Sequence, residues 1–196
     1  MGRSDVIVRV GEKTDPSREL SLRVNLWCGI TANERMDWLV EKATELGAVS
    51  LLPISAERSV LKLKGERSDK KLAHWQAIAV AASEQCGRNQ VMAVTPPLTL
   101  AQALMATPTA QSSQARWILS LAPGTQTLNA AFEEAKKSAQ SLPFEVTVLS
   151  GPEGGLSPSE EAQALAAGFV PVNLGPRVLR AETAPVAVLS VLGAWT

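Results

Sequence analysis

The sequence predicts an α/β fold, a parallel sheet with helices on both faces, and three observations carry that prediction. In the C-terminal half, strand and helix patterns alternate: Trp117–Leu121, Thr127–Ala139, Phe144–Leu149, Pro158–Ala167, Val170–Leu174 and Thr183–Trp195. That order builds a parallel sheet covered on both sides. Two of these strands run into glycine loops, Gly151–Gly155 and the segment opening at Gly175. Strand, glycine loop and helix in succession make ligand sites at the carboxyl end of such sheets. Finally, 196 residues with 45% hydrophobic and 19% charged content fit one α/β domain with a small addition.

Taken in order, Val6–Val10 and Leu20–Trp27 alternate apolar and polar residues around a polar segment, Gly11–Arg18. This predicts a strand pair with one solvated face. Asn33 or Thr31 is placed to cap a helix over Glu34–Leu46, whose Met36, Leu39, Val40, Ala43 and Leu46 share a face, with Gly47 at C′. Ala48–Ile54 reads as a short buried strand. A long helix follows from a Ser68 cap to Cys86, with Leu72, Trp75, Ala79 and Ala82 on its apolar stripe and Gly87 at its end. A short helix around Leu100–Met105 and a polar linker, Thr107–Gln114, lead into the alternating half.

Charge is balanced, 19 basic against 19 acidic residues, so no global field points to a polyanion. Locally, Arg58, Lys62, Lys64, Arg67, Lys70 and Lys71 face only Glu66 and Asp69. Alone, that run reads more readily as a solvated loop than as a nucleic-acid footprint. Cys28 and Cys86 are too few and too far apart for a zinc motif or a disulfide framework, and no metal is expected. With no signal peptide and no apolar run of membrane-spanning length, the expected location is the cytoplasm, with no membrane partner.

The first glycine loop is followed by a well-marked helix start: Ser157 at N-cap, Pro158 at N1 and Glu160 at N3 form a capping box. The loop is neither G-x-G-x-x-G nor a Walker A sequence, and by itself it equally suits a tight connection without a ligand. The second loop, Gly175-Pro176-Arg177-Val178-Leu179-Arg180-Ala181-Glu182, adds two arginines and a glutamate to a very apolar end of the chain. These charges alone also suit a surface ion-pair cluster. Two glycine loops carrying such charges read together as one site. The apolar helix Ala184–Trp195 belongs either in the core or at a subunit interface.

Gly151-Pro152-Glu153-Gly154-Gly155-Leu156 together with Leu174-Gly175-Pro176-Arg177-Val178-Leu179-Arg180-Ala181-Glu182-Thr183-Ala184 closely resembles the ribosomal RNA small-subunit methyltransferase E family of the SPOUT superfamily. Glu41–Gly47, Pro53, Glu57-Arg58-Ser59 and Glu84–Asn89 resemble its other signatures, so the likeness runs from about Arg35 to the C-terminus. The resemblance implies S-adenosylmethionine-dependent methylation of uridine N3 in 16S rRNA within the small ribosomal subunit. It implies a homodimer and a C-terminal trefoil knot, a topology no general folding rule proposes. It also implies an N-terminal PUA-like β-barrel. Residues 1–32 supply only about its last two strands, so a truncated remnant is expected ahead of a methyltransferase domain over 33–196. Ser150 departs from the aliphatic residue expected at that strand end.

On that resemblance, Gly151, Glu153, Gly154, Leu174, Gly175 and Leu179 are the cofactor-binding candidates. Arg58, Lys62, Lys64 and Arg88 are the RNA-phosphate candidates, Arg180 and Glu182 the catalytic ones. Uracil N3 is a weakly acidic imide nitrogen that attacks only after losing its proton. A preorganised arginine stabilises the charge left on the flanking carbonyls. Glu182 fits two roles, accepting the proton or holding Arg180 in place. Two other readings stay open: an RNA-binding or ribosome-assembly module without catalysis, and a SPOUT enzyme acting on a different RNA.

Overall fold

A computed structural model describes residues 7–14, 17–107, 114–138 and 145–195. Seven strands form one sheet: β1 (Arg23–Gly29), β2 (Ser50–Ile54), β3 (Ala93–Val94), β4 (Gln114–Leu119), β5 (Gln126–Thr127), β6 (Glu145–Ser150) and β7 (Val170–Asn173). Six helices join them: α1 (Asn33–Glu45), α2 (Glu66–Cys86), α3 (Leu100–Ala106), α4 (Leu128–Ser138), α5 (Pro158–Ala166) and α6 (Thr183–Trp195). The strand order is β3-β2-β1-β6-β4-β7-β5, and every pair is parallel.

Residue alternation along the strands makes the layers, because successive side chains point to opposite faces. Val24, Leu26, Cys28, Leu51, Trp117, Val146 and Val148 face one core, shared with α1, α2, α4 and α6. Trp27, Leu52, Ile54, Ile118 and Leu149 face the other, covered by α3 and α5. The predicted parallel sheet with helices on both faces is therefore observed. Full burial of one large apolar side chain contributes roughly 1.5–3 kcal/mol, so Leu26, Met36, Leu39 and Trp75, none measurably exposed, anchor the first layer. The Trp75 indole escapes an unpaired N–H by donating to Asp37 at 2.9 Å.

The N-terminal reading needs correction. The Leu20–Trp27 pattern belongs to β1, which lies inside the main sheet and pairs with β2 and β6. Ser21 and Arg23 at the start of that pattern are exposed, but from Val24 on the strand is buried on both faces apart from half-buried Asn25, whose amide donates to Glu145 and accepts from Ser50 Oγ at 2.6 Å. The sheet therefore begins ahead of residue 33, which moves the expected boundary at 32/33. Ile7–Val10 carries no strand and is exposed; Val6 lies outside the described residues. The linker residues 108–113, and Ala139 and Phe144 at the expected ends of a helix and a strand, also lie outside them.

Two helix starts differ from expectation. Ala32, not Thr31 or Asn33, occupies the N-cap of α1, and no side chain of its own segment caps it. The α2 helix starts at Glu66 after Gly65, whose φ of 50° makes the entry turn, so Ser68 is already helical. Glu66 and Asp69 in that first turn complement the helix dipole. The Ser157–Glu160 capping box forms as predicted.

Candidate methyl-transfer site

The carboxyl ends of β6 and β7 both open into one cleft of about 520 Å³, within the usual range of small-molecule sites. The two strands are not neighbours, because β4 lies between them. A third wall therefore comes from Leu119, Ser120 and Leu121 at the end of β4, which the sequence reading missed. The chain leaves the strand there as the Ser120 N–H donates to Val172 O at 3.0 Å.

Apolar side chains of Leu156, Val172, Leu174 and Leu179 line the cleft together with Gly151, Glu153, Arg35 and Arg180. Arg180 is exposed and Glu182 is buried, 8% exposed. Glu182 does not brace Arg180 as one reading expected. Its Oε1 lies 3.8 Å from Arg35 Nε, and its Oε2 is buried without a hydrogen-bond partner. Arg180 O instead accepts the N–H groups of Thr183 and Ala184 at 3.0 and 3.1 Å, starting α6.

The first loop is stapled from outside. Glu153 Oε1 accepts the Ala32 N–H at 3.0 Å and Arg35 Nη1 at 3.2 Å. It thereby serves the open N-terminus of α1, which has no cap of its own. Desolvation pushes the Glu153 carboxyl up, but the Ala32 N–H, its own N–H and Arg35 together outweigh this and hold it below the usual carboxylate range. Gly29, at the end of β1, touches the same loop: a Cβ there would lie 2.2 Å from Pro152 N.

Gly154, expected as a ligand-approach glycine, does not line the cleft; a Cβ on it would meet Arg58 Cβ at 3.0 Å. Gly175 supplies a positive φ, 94°, that turns the second loop. The four phosphate candidates divide. Arg88 is buried and forked on Glu19, while its Nη1 donates to Thr44 O at 2.6 Å and Ala48 O at 3.1 Å. It holds the N-terminal segment to the sheet and has no guanidinium face for a phosphate. Arg58 donates to Gly154 O and Leu156 O at 3.2 and 3.3 Å. Lys62 is exposed but donates to Ala56 O and Glu57 O at 2.7 and 3.0 Å, and Lys64 is exposed.

Among the described residues, no group of three His, Cys, Asp or Glu side chains could hold a metal ion. No helix among them is long and apolar enough to cross a membrane.

An RNA methyltransferase domain model matches residues 18–193. Ribosomal RNA small subunit methyltransferase E of Bacillus subtilis is 32% identical over 207 aligned residues, covering 100% of this chain and 75% of the relative. The chain belongs to the ribosomal RNA small-subunit methyltransferase E family. The Synechocystis protein of that name is 34% identical, covering 93% of this chain, which spans 57% of that relative. Among solved structures, ribosomal RNA small subunit methyltransferase E from Neisseria gonorrhoeae, bound to S-adenosyl methionine, superposes with a TM-score of 0.77 at 34% identity. That match covers 91% of this chain and 68% of the other. The family resemblance read from the paired glycine loops is thus confirmed, and those loops are the ones that form the cleft.

Proposed function

We propose that this chain is a S-adenosylmethionine-dependent methyltransferase acting on N3 of a uridine in 16S rRNA. The observation that carries the proposal is that one cleft is shared by the loops after β6 and β7, with apolar walls and Arg180 at the site. Its volume and mixed lining fit a nucleoside-sized group: Leu156, Val172, Leu174 and Leu179 suit an aromatic base, and Gly151, where a Cβ would fall 2.9 Å from Leu156 N, lets the loop fold tightly beside them. When bound, the cofactor supplies an electrophilic methyl group. The protein's tasks are then to align the reactants and to prepare the nucleophile.

Arg180 is exposed and so free to meet an incoming uracil, where its planar fork stabilises charge on the carbonyl oxygens flanking N3. Glu182 acts from behind the wall, with one oxygen toward Arg35 and the other unpartnered. This arrangement speaks against bracing of Arg180, and since Glu182 does not line the cleft, any proton it accepts must reach it through an intervening group. Lys64 and neighbouring exposed lysines are proposed as phosphate contacts that position RNA without reading its sequence.

The homodimer and the knot belong to the same proposal. Support for the knot is that β7 pairs with β4 and β5, while α6 packs on α1, β1 and β6 across the sheet. Single-molecule extension of a knotted chain stops short of its full contour length. Support for the dimer is the exposed Trp195 end of α6, and sedimentation at micromolar concentration checks it. The central test is calorimetric titration with S-adenosylmethionine, then methylation of small-subunit particles with mass spectrometry of the RNA digest. Absence of cofactor binding, or methylation at a position other than uridine N3, refutes the corresponding part.

A further inference from the structure

We infer that Arg58 is a positioning residue for the first glycine loop, acting through backbone carbonyls and not through RNA phosphate. The inference deepens the proposed function, since it takes the 151–157 segment as the cofactor loop.

The loop has few free choices in this fold. Arg58 Nη1 donates to Gly154 O at 3.2 Å and Leu156 O at 3.3 Å, so one guanidinium nitrogen ties two carbonyls on either side of Gly155. The Gly155 N–H closes a turn onto Pro152 O at 2.8 Å. The Ser157 N–H donates to Glu160 Oε2 at 2.8 Å, and the other oxygen of that buried carboxylate accepts the Glu57 N–H at 3.0 Å. Glu160 therefore has a second duty beyond its capping box: it fastens residue 57 to the start of α5.

The segment bearing Arg58 is itself held. The Ser55 N–H donates to Leu98 O at 2.8 Å and the Ser59 N–H to Ala56 O at 3.1 Å, while Lys62 donates to Ala56 O and Glu57 O. Gly154 lies close enough to Arg58 that a Cβ would contact its Cβ at 3.0 Å and its carbonyl at 3.3 Å. Residues 55–62 thus form a strap laid against the loop, and Arg58 is its fastener. A loop ordered before its ligand arrives binds more tightly, because the ordering cost is not charged to binding.

The test uses the full chain with Arg58→Met and Arg58→Lys. Three quantities are read: amide exchange of residues 151–157 without cofactor, affinity for S-adenosylhomocysteine, and the salt dependence of binding to a 16S rRNA fragment. The expected result for Arg58→Met is faster exchange at Gly155 with β1 amides still protected. Cofactor-product affinity should fall on the order of tenfold, with the salt slope unchanged. Arg58→Lys, which keeps a donor within reach of one carbonyl, should recover part of both losses. Unchanged loop exchange together with a salt slope shallower by about one contact overturns the inference and makes Arg58 a phosphate ligand. If even the parent chain binds no S-adenosylhomocysteine, the proposed function fails, while the exchange data still decide the role of Arg58.

Discussion

Arg35 Nη1 lies 3.2 Å from Glu153 Oε1, joining the first turn of α1 to the loop after β6. The same guanidinium reaches Glu182 through Nε at 3.8 Å, so one arginine links the two glycine loops across 118 and 147 residues of sequence. Its side chain is 41% exposed, whereas that of Glu182 is 11% exposed. The arrangement places a solvent-facing cation over a nearly buried carboxylate.

Arg35→Ala is expected to cost about 1–2 kcal/mol of stability. Breaking a fully buried pair costs more, but exposure of the arginine screens the interaction. Arg35→Lys should recover less than half, since an ammonium cannot span two separated carboxylates as a guanidinium does. Urea denaturation of the three proteins checks both statements, and equal midpoints for parent and Arg35→Ala would remove the linking role.

Glu153 makes stability depend on pH in a defined direction. Its folded-state value lies below the ordinary 4.5, so its contribution is fully present above that value and disappears as pH falls through the folded one. Glu153→Gln should therefore lower stability at pH 7 and lose less of it on acidification. Denaturant midpoints measured from pH 7 to pH 3 should converge for parent and variant at the acid end. A difference that stays constant across that range would mean the carboxylate charge is irrelevant.

Gly29→Ala tests the seam between β1 and the first loop. The added Cβ falls 2.2 Å from Pro152 N and 2.7 Å from Gly151 C, both backbone atoms that cannot swing aside. Overpacking of this kind costs typically 1–3 kcal/mol, and the relief available is displacement of the loop. The variant should unfold earlier on heating and bind S-adenosylhomocysteine more weakly. Wild-type affinity in a folded Gly29→Ala protein would show that the loop can move without harm to the site.

Arg180 separates catalysis from binding. Because Glu182 pairs toward Arg35, removal of Arg180 leaves no buried carboxylate newly unpaired. Arg180→Ala should thus keep its stability and cofactor affinity while single-turnover methylation slows on the order of a hundredfold to a thousandfold. Arg180→Lys should restore part of the rate. Equal losses in binding and rate would count against the catalytic role, and an undiminished rate would end it.

Features whose causes lie within a few residues are legible along the chain. Ser157 and Glu160 close their box over three positions, Gly87 ends α2 in the left-handed conformation, and the paired loop signatures named the family. Apolar periodicity likewise identified the parallel layers, because burial on a helix face or in a central strand leaves a local pattern. The remaining features depend on contacts between segments far apart in the chain. Strand order set β4 between β6 and β7, giving the cleft a wall from residues 119–121. It moved Leu20–Trp27 from an expected strand pair with one solvated face to the middle of the sheet. It also chose the partners of Arg35, Arg58 and Arg88. Arg88 reads like Lys64 in the sequence, yet it is buried on Glu19, 69 residues away, while Lys64 stays in solvent. A charge seeks whichever opposite group or carbonyl the fold brings within reach, and Coulomb attraction depends on distance in space, not along the chain.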